Sequence, residues 1–317
     1  MITFASSLIT TFQSIVLGAL QGVTELFPVS SLGHTVIFPN LFGWSNIVKW
    51  QSQPESPWLA FVVMLHVGSA IGLLVYFWRE WVELVGAFFS SASRMIRLRR
   101  WSTETTAERM AWLIIVASIP VGIIGVALEH KLRTATAKPE IASIFLVVNG
   151  FILLAGERVR RRAEVQALAA REGLKRDGGR RMDTLSYKEA GVIGFAESSA
   201  LIAGISRDGV VMSAGLARGL DNADAAKYSF LLATPIILAA GLYKLPDLLG
   251  KVHLGAGYAS AHAASQLRVQ ALLAAVVAAI VAVFTVHFLT RYFKTRTLIP
   301  FAVYCLVFGL AMVIYNA

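Results

Sequence analysis

Apolar residues run along this chain in long blocks. The windows 58–78, 110–128, 141–156, 227–243, 269–290 and 299–316 are almost wholly apolar. Each reaches or approaches the roughly 20 residues that a helix needs to cross a bilayer. Two further apolar segments, 4–44 and 188–220, are interrupted in the middle by proline, glycine, serine and charge. Such an interruption predicts a re-entrant hairpin, because unwound backbone at membrane depth survives only inside protein or along a wet cavity. The predicted fold class is an all-α polytopic membrane protein with six transmembrane helices and two re-entrant helical hairpins.

Composition agrees with that pattern. Apolar residues make up 56% of the chain and charged residues 15%, and the mean hydropathy is +0.64. A soluble domain carries about 25% charged residues, and one soluble core would have to bury all six blocks. The first charge is Glu25, so the basic region of a cleavable signal peptide is missing and none is expected. The single cysteine, Cys305, excludes an internal disulfide and any multi-cysteine metal site.

The net charge of +10 would suit nucleic acid, but its distribution has a simpler origin. With six spans, the loops 79–109, 157–188 and 291–298 share one face and hold nineteen Lys and Arg residues, against seven on the other. Basic loops stay cytoplasmic, which predicts both termini outside and excludes nucleic acid as the partner. The arginine-rich loop 157–188 is expected to set orientation beside anionic lipid. Its part 157–173 reads either as a helix on the inner leaflet or as unstructured chain.

The chain also repeats itself. Residues 21–34 (QGVTELFPVSSLGH) align with 197–210 (ESSALIAGISRDGV), bringing Gln21 onto Glu197, Ser30 onto Ser206 and Gly33 onto Gly209. Each hairpin is followed by three spans, an odd number, so the second unit is inverted relative to the first. The expected single membrane domain has repeat 1 at 1–156, a basic loop at 157–187 and repeat 2 at 188–317. Inverted repeats with broken helices place their site near the midplane at the repeat interface, so the two hairpin tips should meet.

The tips carry the chemistry. Pro28 stops a helix and Gly33 permits an unusual backbone angle. Ser30 or Ser31, and Ser206 on the other tip, can cap new half-helices whose N-terminal amides favour anions. Arg207 adds a planar fork of donors that matches phosphate or carboxylate oxygens. Glu25 and His34 flank the first tip, and an ionisable group at this depth is expected to be functional. The set suits a phosphate-bearing headgroup whose tail lies in lipid. Carboxylates alone would repel phosphate, so a divalent cation such as Mg²⁺ or Ca²⁺ is expected. Ser31, activated by His34, is placed to attack phosphorus while Arg207 and the cation hold the developing charge.

These residues resemble the membrane undecaprenyl-diphosphate phosphatases of the bacitracin-resistance type. That family's first motif, E-G-x-T-E-x-x-P-V-S-S-x-G-H, is matched here from Gln21 to His34. Its second, P-G-x-S-R-S-G, is matched from Ala203 to Gly209, and the likeness extends to His66-Val67-Gly68 and to 228–235. The resemblance implies removal of the terminal phosphate from a C55 isoprenoid diphosphate at the outer face of a bacterial inner membrane. That reaction recycles the lipid carrier of cell-wall synthesis and confers bacitracin resistance. Carried over, Glu25 is metal ligand or base, Ser31 the nucleophile, His34 its partner and Arg207 the diphosphate clamp. Ser30, Ser206, Gly209 and Gln21 line the headgroup site, and Glu25, Glu197 and Asp208 are the expected cation ligands.

Four positions depart from the family pattern. Gln21 stands where the family has glutamate, Glu197 where it has glutamine, Ala203 for proline and Asp208 for serine. The first two imply a carboxylate moved across the pseudo-two-fold axis. Asp208 could bind a second cation or pair with Arg207. Two other functions share this architecture: a lipid-carrier transporter or flippase, and a paralogue that binds lipid phosphate without hydrolysis. The expected partners are the polyprenyl diphosphate lipid and a second copy in a homodimer.

Other features carry blander expectations. His66 reads equally as a contact between helices or as a supporting residue of the site. Gly18-x-x-x-Gly22, Gly68-x-x-x-Gly72 and Gly215-x-x-x-Gly219 predict close helix packing. Lys227 and Tyr228 mark a membrane boundary, and His130, His253, His262 and His287 show no ligand spacing.

Overall fold

The computed structural model describes residues 9–51, 58–136, 138–169, 180–249, 253–254, 257–258 and 261–316. Twelve α-helices carry the described chain: α1 Thr11–Thr24, α2 Ser31–Leu41, α3 Ser45–Gln51, α4 Trp58–Tyr76, α5 Trp78–Leu98, α6 Thr106–Thr136, α7 Pro139–Ala169, α8 Tyr187–Glu197, α9 Arg207–Ala217, α10 Asn222–Leu249, α11 Ala261–Tyr292 and α12 Ile299–Asn316. Strand among the described residues is limited to β1 (His253–Leu254) paired antiparallel with β2 (Gly257–Tyr258), a small addition to the all-helical expectation. Among the described residues six helices, α4, α6, α7, α10, α11 and α12, are long and apolar enough to cross a membrane.

Contacts of the long helix α11 mark the two ends of the bundle. At one end of α11, Gln270 Nε2 donates to Thr11 Oγ1 at 3.1 Å. Toward its other end, Thr290 Oγ1 lies 2.9 Å from Tyr76 Oη. Twenty helical residues separate those two contacts, a rise of about 30 Å. The first end also ties Gln13 to Asn46 and Asn40 to Asn316. The second gathers the arginines: Arg109 donates to the carbonyls of Asp183 and Leu185, and Arg180 reaches Glu189 at 2.7 Å.

The two interrupted segments fold alike at matching positions. Thr10 and Ser186, 176 residues apart, each close a capping box, with Gln13 and Glu189 respectively. The capping hydroxyl and the returning side chain satisfy backbone amides that a helix start leaves open. Gly18 and Gly194 share the same offset. A methyl group at Gly18 would strike the Ala274 carbonyl on α11, and one at Gly194 the Ala117 carbonyl on α6. Gly22, Gly68 and Gly72 also sit against α11 backbone, as their spacing predicted.

Several expectations need correction. The stretch 79–109, read as a loop, contains α5. Its exposed Trp78, Val82, Val85, Phe89 and Ile96 form one helical stripe, which a search for unbroken apolar windows passes over. Residues 157–169 are neither a separate surface helix nor loop; they continue α7. There Glu157, 2% exposed, takes Arg160 at 2.6 Å and Arg161 at 3.5 Å. The rest of 157–173, and the start of 4–44, lie outside the described residues. Tyr228 does not turn outward to lipid: it is fully buried, with its hydroxyl 3.4 Å from the Leu113 carbonyl. Gly219 is not a packing glycine but a turn residue, with φ +87° beyond the end of α9.

Candidate active site

The sequence makes two sharp tips. In the first, α1 ends at Thr24 and the chain crosses Pro28 to Ser30, whose φ is +70°. A non-glycine residue in that region costs about 1–3 kcal/mol and persists only where surroundings enforce it. In the second, the chain turns at Gly204 (φ +104°) and restarts as α9. Ser30 and Ser206 cap the two new helices by accepting from Gly33 N and Gly209 N at 3.2 and 3.1 Å. The tips touch: Gly204 N donates to Ser30 Oγ at 3.2 Å, and a Cβ on Gly33 would come within 3.0 Å of Gly204 Cα.

Across that contact lies a connected polar group. Glu25 Oε2 accepts the Ser31 hydroxyl at 2.5 Å and Gln21 Nε2 at 2.8 Å. Its other oxygen accepts Arg207 Nη2 at 3.0 Å from the opposite tip. Arg207 Nη1 lies 2.9 Å from Asp208 Oδ1, an ion pair not aligned as a hydrogen bond. Asp208 is held in turn by the Ser229 hydroxyl at 2.8 Å. A helical side chain points back toward its helix N-terminus, which is why Ser31, the first residue of α2, reaches Glu25, the residue that caps the end of α1.

The arrangement separates the two serines. The Ser30 hydroxyl accepts two backbone amides, whereas that of Ser31 donates to a carboxylate. The structure does not bring His34 to Ser31. His34 Nδ1 bonds the Ser30 carbonyl at 2.7 Å and Nε2 meets Tyr304 Oη at 2.8 Å. The imidazole beside Ser31 is His66, 3.4 Å from its Oγ and 3.2 Å from Glu25 Oε2.

The three expected cation ligands do not converge on one point. Among the described residues no group of three or more His, Cys, Asp and Glu is placed to hold a metal. Two of them nonetheless offer open oxygens. Both carboxyl oxygens of Glu197 are buried without a hydrogen-bond partner, and so is Asp208 Oδ2. Such oxygens fit a hard cation that takes one or two carboxylates and completes its shell with water and substrate phosphate.

Asn149 was missed by sequence reasoning. Fully buried on α7, it donates to the Pro28 carbonyl at 2.9 Å and accepts Ser206 N at 2.9 Å, bridging the tips. Its signal was available: it is the one side chain with hydrogen-bonding amide groups in the window 141–156, where an unpaired amide would be costly.

Fold and site together define a helical membrane protein with a buried hydroxyl–carboxylate–guanidinium site. The profile of the family described as "Bacitracin resistance protein BacA" matches residues 14–311, and the chain belongs to that family. It is 46% identical to a protein of Frankia alni named "Undecaprenyl-diphosphatase 2", over 95% of this chain and 96% of the relative. It is 47% identical to one of Mycolicibacterium paratuberculosis named "Undecaprenyl-diphosphatase", over 96% and 97%. A Chromobacterium violaceum protein, also named "Undecaprenyl-diphosphatase 2", is 36% identical over 96% and 98%.

Proposed function

We propose that this chain hydrolyses undecaprenyl diphosphate to the monophosphate and inorganic phosphate, as the names of its relatives indicate for them. The observation that carries the reading is the Ser31 hydroxyl donating to Glu25, whose second oxygen holds Arg207 from the other tip. Ser31 Oγ attacks the terminal phosphorus and its proton passes to Glu25. The bond to the bridging oxygen breaks, and undecaprenyl monophosphate leaves. Glu25 gives that proton up to the departing monophosphate. Water then attacks the phosphoserine as Glu25 takes up one water proton and returns it to Ser31 Oγ, so that phosphate leaves and the Ser31 hydroxyl is restored. Arg207 binds the phosphate oxygens on which charge accumulates. Bound at Glu25, Glu197 or Asp208, a divalent cation would neutralise diphosphate charge.

A transporter or a non-hydrolysing binding protein would need the hairpins but not a serine held on a carboxylate, so the geometry favours hydrolysis. The same reading takes the two hairpins as re-entrant and the halves as inverted repeats, 1–156 and 188–317. The paired caps, the paired glycines and the contact between tips support it. With the arginine-rich end in the cytoplasm, both termini face outward from the bacterial inner membrane, and the site opens to the outer face.

The test is phosphate release from C55 isoprenoid diphosphate by the purified chain in detergent, with Mg²⁺, with Ca²⁺ and with chelator. We expect cation-dependent release, reduced about 10³-fold or more in Ser31→Ala and about 10²-fold or more in Arg207→Ala. Absence of release from folded protein with either cation, or full activity in Ser31→Ala, would overturn the proposal.

A further inference from the structure

We propose that His34 and Tyr304 are positioning residues that clamp the Ser30 turn and so aim Ser31 at Glu25, and that His34 carries no proton in the reaction. This inference rests on the phosphatase reading for its kinetic consequences, but its geometry stands apart from it.

The first support is chemical. A carbonyl oxygen only accepts, so the 2.7 Å contact with the Ser30 carbonyl puts the proton of a neutral His34 ring on Nδ1. Nε2 then accepts the Tyr304 hydroxyl at 2.8 Å. Both ring nitrogens are in use, and neither faces Ser31. The ring is 1% exposed and lies stacked on Phe38, Tyr304 and Phe308, with centroids 5.6, 5.8 and 5.6 Å away. Three aromatic faces and two hydrogen bonds fix its orientation.

The second support is what this fixed ring holds. Ser30 is one of two described non-glycine residues with positive φ. Its carbonyl takes both the His34 ring and the His34 amide, the latter at 3.2 Å. Its hydroxyl takes Gly33 N and Gly204 N. The carbonyl and the hydroxyl of Ser30 are both engaged, and the His34 ring is the side chain that another residue supplies to them. Should Ser30 relax to negative φ, the start of α2 would rotate and the Ser31 hydroxyl would leave Glu25. Tyr304 extends the clamp to α12: its ring is 39% exposed on the outside of the bundle while its hydroxyl turns inward to His34.

Asparagine separates positioning from proton transfer. Its Nδ2 occupies the place of imidazole Nδ1, three bonds from Cα, and donates without titrating. In phosphate release, His34→Ala should lower kcat about 10²-fold, whereas His34→Asn should stay within about tenfold of wild type. KM and the shape of the pH profile should be unchanged in His34→Asn. Tyr304→Phe, losing one hydrogen bond, should lower kcat about three- to tenfold. An activity-independent readout is the alkylation rate of the thiol in Ser31→Cys, on a Cys305→Ser background. Adding His34→Ala should change that rate at least about threefold, and adding His34→Asn should not.

Equal loss of kcat in folded His34→Asn and His34→Ala, or a pH limb missing from His34→Asn, would overturn the inference. If neither His34 variant folds, an unchanged kcat in Tyr304→Phe would overturn it. Wild-type protein that releases no phosphate would sink the phosphatase reading, and the alkylation rates would then decide the clamp alone.

Discussion

Glu197 is the residue whose surroundings fit its charge least. It is 1% exposed and neither carboxyl oxygen has a donor, a state that a buried carboxylate does not hold without a compensating partner. Its counterpart in the first half, Gln21, donates to Glu25 at 2.8 Å, so an amide there braces the carboxylate it faces. A cation partner for Glu197 predicts that Glu197→Gln loses about 10- to 100-fold of metal-dependent turnover, read as phosphate release against Mg²⁺ concentration. Restoring the carboxylate at the other position, in Gln21→Glu/Glu197→Gln, should recover most of it; full activity in the single variant would refute the idea. At this scale Glu25, Ser31 and Arg207 were legible because a charge or hydroxyl at a broken apolar segment is conspicuous. His66 stayed open between a helix contact and a supporting role, and Asn149 and Tyr304 were not singled out. Their partners lie 35, 121 and 270 residues away, and no local pattern encodes which lone polar group in an apolar helix meets which tip.

Helix contacts decide how firmly the hairpins sit. α1 runs beside α11 through Gly18 and Gly22, and α8 beside α6 through Gly194, each with backbone against backbone. In a membrane, small residues allow such approach, and dispersion forces supply the attraction. Leucine at Gly18 or at Gly194 should therefore lower the thermal unfolding midpoint in detergent, by the equivalent of about 1–3 kcal/mol or more. Leucine at Gly125, where an added Cβ would meet nothing within 4 Å, should leave it unchanged; equal effects at all three would contradict the packing argument. The glycine spacings were readable at 18–22 and 68–72, where the neighbour is another helix. They misled at 215–219, because a glycine that ends a helix and one that packs a helix look the same in sequence. The helix α5 escaped because its apolar residues form a stripe, and its charges break every window long enough to span.

At the scale of the whole molecule, charge sets orientation and packing sets the site. The nineteen basic residues that the sequence pattern assigns to one face predict that a membrane-impermeant maleimide labels Ser45→Cys from outside intact cells and does not label Arg181→Cys, on a Cys305→Ser background. The reverse pattern would invert the topology. The six spans, the two broken segments and the charge bias follow from the sequence alone, because the cost of polar groups in hydrocarbon acts on each stretch of chain independently. The pairing of Ser31 with Glu25 and His66, the diversion of His34 to Ser30 and Tyr304, and the bridge through Asn149 exist only in the folded bundle. They depend on which helix faces which, and hydrophobicity, being non-directional, leaves that choice to shape and hydrogen bonding between distant segments.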